Sequence, residues 1–266
     1  QHGIITPTHY GYIFDKEDRE MKFLPDITCV FGQYHYDLLT RNSIYEPEEV
    51  VVTGEPRYDI LYYADRIYDK KKFLERYNIN LNDKILLWTT QCHGISDEEN
   101  VKNFKAVFKT MENLKGVTLV IKQHPGEGAG YKKMIEDYLN RYNLRGDVVI
   151  TPKDSDTYEQ LFVCDLMITK NSTTAMEAIA LNKSVIVLNL GEEPDVVDYV
   201  ENGVALGVYK EDDLEPAINR LLHDDSDLVK NREGYIQEYL YKIDGKATER
   251  VVSLIDKIIE KSRKTE

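Results

Sequence analysis

Little in this 266-residue chain points to covalent staples, metal sites or membrane spans. Its three cysteines, Cys29, Cys92 and Cys164, are far apart and odd in number, which argues against a disulfide framework and for reduced thiols. There is no CxxC, no HExxH and no His/Cys cluster at ligand spacing, so no metal and no resident cofactor are expected. No apolar run approaches the ~20 residues a spanning helix needs, and no signal-peptide pattern opens the chain. Positive charge is the scarcer sign, with 34 basic against 47 acidic residues for a net charge of −13. That balance argues against a general nucleic-acid surface and leaves room for a local basic pocket. A cytoplasmic protein is the expectation, with peripheral association at the inner membrane face compatible with it.

What is present is regular alternation. KILLWTT (84–90), VTLVIKQ (117–123), DVVIT (147–151), 166–169, 185–190 and VALGVY (204–209) read as strands. Amphipathic stretches stand between them. Ser96-x-x-Glu99 is a capping box opening a helix whose Val101, Phe104, Phe108 and Met111 share a face. Helices are also expected at 131–142, 157–164, 195–202 and 214–222, with a largely helical tail at 228–263. The pattern predicts an α/β fold, a Rossmann-like parallel sheet with helices on both faces. Residues 26–32, 34–41 and 49–54 repeat strand, helix and strand, and a charged helical connector follows. Gln1-His2-Gly3 reads as a post-strand loop whose strand is absent. The expected organisation is therefore residues 1–60 as the last part of one such domain, 61–79 as connector, and 80–266 as a complete nucleotide-donor domain with C-terminal helices.

In sheets of this kind ligands sit beyond the carboxyl ends of the strands, so the loops at 89–96, 123–130, 151–156, 170–174 and 190–195 matter most. After the strand at 166–169, Asn171, Ser172, Thr173 and Thr174 offer hydroxyls and unpaired N–H groups to a phosphate. Thr174-x-x-Glu177 also fits a capping box, the plain structural alternative. Lys122 and His124 lie two apart before Pro125, so both can face one phosphate, although a strand-ending histidine is often only a loop cap. Asp154-Ser155-Asp156 is better read as the cap of the next helix, within a backbone-rich loop starting at Thr151-Pro152 that could contact a nucleobase. Arg57 in GEPRYD could aim at a diphosphate or simply pair with Asp59. His2 is the candidate general base, because imidazoles as a class titrate near neutral pH. His9, His35, His93 and His223 have weaker contexts, although His93 lies on a strand-end loop.

Ordered in this way, the chain resembles the two-Rossmann-domain glycosyltransferases (GT-B) of surface-polysaccharide synthesis. QHG at 1–3 and GEPRYD at 54–59 resemble segments of glycerophosphotransferases that use CDP-glycerol. KQHP at 122–125 and Ser172-Thr173 resemble motifs of bacterial sialyltransferases and capsule Kdo transferases, which use CMP-sugars. IDGKATERVVSLI (243–255) resembles a closing-helix segment of surface-carbohydrate transferases. VVVTGEPRYDIL and VIVLNLGEEPDVVDYV are similar to segments of hydrolysing UDP-N-acetylglucosamine 2-epimerases, whose Ser-Gly-x-x-x-Glu-Glu pattern is not reproduced. The resemblance implies His2 as acceptor-activating base. It implies His124, Ser172 and Thr173 at the donor phosphates and Glu177 at the ribose; the reading of the residues themselves adds Lys122, Thr174 and Arg57 at the phosphates and Thr151 and Pro152 at the base. The resemblance also implies a nucleotide-sugar or CDP-alditol donor and a saccharide acceptor, with no nucleic acid and with room for a partner domain. Transfer of a glycosyl or glycerol-phosphate-type group is the leading expectation. Epimerisation is the alternative, and a non-catalytic nucleotide-binding module or enzyme fragment a third.

Overall fold

Two short runs rich in β-branched residues make the first strand pair. In the computed structural model, which describes residues 1–91, 94–144, 146–191 and 193–264, β1 (Thr28–Val30) and β2 (Val50–Val52) run parallel with Cys29 opposite Val51. Helix Gln33–Asn42 joins them, and Ile5, Leu38, Leu39, Ile44 and Val50 pack together beneath. Cys92 and His93 lie outside the described residues; Cys29 and Cys164 are free thiols.

The tail belongs with this first unit, which differs from the boundary expected at residue 80. Residues 1–63 and 233–266 form one unit, and 64–232 the other. The cause lies in two bond sets that local periodicity does not carry. The Asp59 carboxylate accepts from the N–H groups of Ala247 and Thr248 (2.8 and 2.9 Å), capping helix Ala247–Arg263, and Arg250 Nε donates to Thr53 O at 2.7 Å. The tail is helical over Ser226–Tyr235 and again over Ala247–Arg263, with a five-residue π-helical turn at Ile236–Leu240. Gly32 makes room for that turn, since a Cβ there would stand 2.3 Å from Glu238 O.

His35 is fully buried beside the rings of Phe31, Tyr34 and Tyr239, and neither ring nitrogen has a hydrogen-bond partner. Burial, with a smaller contribution from the chain's amino terminus, pulls its pKa down to about 3. The unfolded chain takes up this proton near pH 6.5 and the folded one does not. The neutral ring's contribution is therefore present above about pH 6.5 and is lost as the pH falls towards 3, about 2 kcal/mol of it between pH 7 and 5. Urea unfolding at those two pH values should show that loss in the native protein and not in His35→Phe. Equal pH dependence in both would refute the assignment.

In the second unit six strands form one parallel sheet: β3 (Lys84–Thr89), β4 (Val117–Lys122), β5 (Val148–Ile150), β6 (Leu166–Thr169), β7 (Ser184–Leu188) and β8 (Leu206–Val208). Their spatial order is β5-β4-β3-β6-β7-β8, with Leu87 opposite both Val120 and Met167. The α/β parallel arrangement predicted from the sequence is therefore found. β3, β4 and β6 are almost wholly buried, as near-continuous apolar runs in parallel sheets should be. Helix Asp97–Asn113 opens on Ser96, whose Oγ accepts from Glu99 N (3.1 Å). Its buried stripe runs through Phe104, Val107, Phe108 and Met111. Val101, expected on that stripe, is exposed because it falls at the stripe's edge.

Residues 195–202, expected as helix, instead form turns. Asn189 Nδ2 donates to Glu193 O and to Asp195 Oδ1 (3.0 and 2.8 Å), Tyr209 OH donates to Asp195 Oδ2 (2.6 Å), and the buried Tyr199 donates its hydroxyl to Ser172 O (3.0 Å). These side-chain bonds tie the segment down, and within it Asn202 N donates to Asp198 O (2.9 Å) in a single helical-type turn. The connector is three short helices, Asp59–Tyr62, Ala64–Ile67 and Lys70–Arg76. Among the described residues no helix is long and apolar enough to cross a membrane.

Candidate functional site

The order of the second sheet reverses between β3 and β6, so a crevice opens where their carboxyl ends diverge. Gln91, just beyond β3, bridges it. Its Oε1 accepts from the N–H groups of Lys170 and Asn171 (both 3.0 Å) and from Thr169 Oγ1 (3.2 Å), while its Nε2 donates to Asn171 Oδ1. One carboxamide thereby fixes the path of the 170–174 turn.

Within that turn Ser172 is the organising residue. Its Oγ accepts from both the N–H and the hydroxyl of Thr174 (3.2 and 2.8 Å), which leaves the Ser172 hydroxyl hydrogen uncommitted to Thr174. Thr174 therefore supports Ser172 through its own donors and does not present them to a phosphate. The predicted Thr174–Glu177 capping box is not formed: helix Thr174–Ala180 has Thr173 at its N-cap with no side-chain capping bond. Glu177 is buried on this helix, 6% exposed.

β4 brings His124 to the same edge from the other side of β3. Neighbouring strands lie about 4.8 Å apart, so the ends of β4 and β6 stand ~10 Å from each other. The backbone N–H of His124 donates to Thr90 Oγ1 (3.3 Å), and its Nδ1 accepts from Gly126 N (3.0 Å). In the neutral ring that assigns the hydrogen to Nε2, making His124 a donor. Lys122 does not join it. Its ammonium is held by the carbonyl oxygens of Pro152 (3.4 Å) and Lys153, and burial lowers its pKa from the usual lysine value. A buried ammonium needs acceptors, and this loop supplies them.

The loop after β5 is cross-tied in return, Lys153 Nζ donating to Glu127 O. Thr151 is 2% exposed and its hydroxyl faces Ile121 O and Gln160 Oε1, each at 3.2 Å, so its side chain is occupied within the protein and not offered to a base. Pro152 O accepts from Ser155 N (3.0 Å) as well as from Lys122, leaving this stretch a tightly tied turn. Asp156 Oδ1 accepts from Tyr158 N and Glu159 N (2.8 and 3.4 Å), which is the helix-capping role read for it.

Two predicted residues lie in the first unit. Arg57, more than half exposed, pairs with Glu55 at 3.2 Å and not with Asp59, whose carboxylate caps the tail helix. His2 is exposed on a turn at Gly3 (φ 68°), its backbone N–H donating to the hydroxyl of Tyr12 at 2.9 Å.

Three residues of this edge were not read as site residues in the sequence: Gln91, Lys170 and Glu99, the last noted only as part of a helix cap. Lys170 Nζ contacts both Glu99 carboxylate oxygens at 2.7 Å, with both side chains buried. The Ser96-x-x-Glu99 spacing signalled a cap. It did not signal that the Glu99 carboxylate turns away from its own N-cap to meet β6. Among the described residues no group of three or more His, Cys, Asp or Glu could hold a metal ion.

These features define a doubly wound parallel α/β unit with donor groups gathered at its switch point. The sequence model of the family described as UDP-N-acetylglucosamine 2-epimerase matches residues 26–256, and the chain belongs to that family. Two curated relatives are processive diacylglycerol beta-glucosyltransferases. The one from Bacillus licheniformis is 27% identical over 191 residues, 68% of this chain and 45% of the relative. The one from Bacillus pumilus is 27% identical over 192 residues, 70% and 47% of the two chains. The chain thus matches about half the length of these relatives. Among solved structures, the wall teichoic acid polymerase TagF superposes with a TM-score of 0.64 at 15% identity, covering 89% of this chain and 58% of that one. The Staphylococcus aureus MnaA–UDP structure superposes with a TM-score of 0.68 at 21% identity, covering 89% and 62%. At these identities the likeness is one of fold, and it is the GT-B type of α/β fold predicted from the sequence.

Proposed function

We propose that this chain carries the donor-nucleotide site of a metal-independent transferase. It moves a glycosyl (or glycerol-phosphate-type) group from a nucleotide-activated donor to a sugar hydroxyl in cell-surface polysaccharide synthesis. The observation that carries this reading is the convergence of His124 and the Ser172 turn on the switch point, with Gln91 fixing the turn between them. The departing nucleotide gains negative charge in the transition state, and donors already in place stabilise it without reorganising. His124 Nε2–H and the hydroxyls of Ser172 and Thr173 are those donors, Glu177 is the ribose ligand, and His2 takes the acceptor proton. The curated relatives, named for glucosyl transfer, favour glycosyl over glycerol-phosphate transfer.

A hydrogen bond from His124 to a charged phosphate contributes about 1.5–3 kcal/mol, so His124→Ala should weaken nucleotide binding roughly 10–100-fold in a folded protein. Calorimetry with CMP, CDP and UDP measures this directly. Unchanged affinity would remove His124 from the site. Epimerisation is a second reading, favoured by the family match over 26–256. Proton NMR of UDP-N-acetylglucosamine incubated with the protein separates the two, since inversion at C2 without an acceptor would establish the epimerase. Nucleotide binding with no turnover of any donor would leave a binding module.

A further inference from the structure

At the same sheet edge, on the β6–β7 side, lies a cavity of about 510 Å³ lined by Gly94, Ser96, Glu98, Glu99, Lys102, Lys170, Gly191 and Glu193. Its size is within the ~300–1,000 Å³ range of small-molecule sites. The Lys170–Glu99 pair forms part of its wall, the two residues 7% and 6% exposed. Gly191 closes another side, and a Cβ there would stand 2.8 Å from Glu99 Oε2. Asn189, 1% exposed, ties the Gly191–Glu193 loop by donating to Glu193 O, and its own Oδ1 has no hydrogen-bond partner.

The charges decide what fits. Among the described residues of this lining, three carboxylates (Glu98, Glu99 and Glu193) face two ammonium groups (Lys102 and Lys170), an excess of one negative charge. Both cations are already engaged, Lys170 with Glu99 at 2.7 Å and Lys102 with Glu98 at 3.0 Å. A carboxylate has about four lone-pair directions, and Lys170 takes two of those on Glu99. The others are of a kind that can accept from hydroxyl groups. We infer that this cavity holds the transferred group of the donor and selects an uncharged, hydroxyl-rich one, such as a neutral hexose or an alditol, while repelling a sugar that bears a carboxylate. This rests on the donor-site reading above and narrows it, because CMP-linked acidic sugars are then poor substrates.

Calorimetry with UDP, UDP-glucose and UDP-glucuronate tests it, with CDP and CDP-glucose as the cytidine set. The two UDP-sugars differ only in one carboxylate. UDP-glucose should bind at least as tightly as UDP, and UDP-glucuronate at least ~10-fold more weakly than UDP-glucose. Gly191→Ala, which presses on the Glu99 carboxylate, should weaken UDP-glucose while leaving UDP unchanged. Equal binding of the two UDP-sugars, or an undiminished glucose contribution in Gly191→Ala, overturns the inference even though UDP binds. Failure of both UDP and CDP to bind overturns the donor-site reading and this inference with it.

Discussion

His2→Ala is expected to slow group transfer roughly 10²–10⁴-fold, the usual contribution of a positioned general base. The turn that carries this imidazole is well defined. Gly3 supplies the left-handed backbone at φ 68°, Gln1 Oε1 accepts from Phe31 N at 2.8 Å, and Tyr12 holds the His2 N–H at 2.9 Å. The residue is exposed. The loss should fall on kcat, with KM for the donor nearly unchanged, because His2 is assigned to the acceptor and not to the nucleotide. His2→Gln should be as slow as His2→Ala, since a carboxamide hydrogen-bonds but does not take a proton at neutral pH. A kcat within threefold of the native value would show that the base lies elsewhere.

The largest stability effect is expected at Lys170. Removing one member of a buried pair leaves the other charge without compensation, at a cost of about 3–5 kcal/mol. For a unit of this size that corresponds to a fall in Tm of roughly 6–20 °C in Lys170→Ala. The double change Lys170→Met with Glu99→Leu should recover most of the loss, since an apolar pair of similar volume carries no unpaired charge. Differential scanning calorimetry reads both outcomes. A shift under about 2 °C in Lys170→Ala would mean that water reaches Glu99 and that the pair is not buried in solution.

How far the sequence disclosed this molecule depends on how local each cause is. Strands such as 84–89 and 166–169 were legible because fully buried parallel strands are runs of apolar residues, and the caps at Ser96 and Asp156 because a cap is a spacing of two or three residues. The ends of β4 and β6 were placed on one edge from the alternation alone. What escaped depends on partners remote in sequence. Gln91 meets residues 169–171, Glu99 meets Lys170, and Lys122 meets the loop at 152–153. A strand-end lysine looks the same in sequence whether it faces a phosphate or a carbonyl. The grouping of the tail with residues 1–63 was not legible for the same reason, since the bond from Ala247 N to Asp59 spans 188 positions.

Titration of ¹⁵N-labelled protein with UDP and with CDP, followed by NMR, tests the central claim most directly. The expected result is saturable shifts concentrated at the amides of Gln91, Asn171, Ser172, Thr173 and Thr174 and at the His124 ring, with Ser172→Ala weakening both ligands. Shifts confined to other strand ends, or none at millimolar nucleotide, would contradict a phosphate site at this switch point.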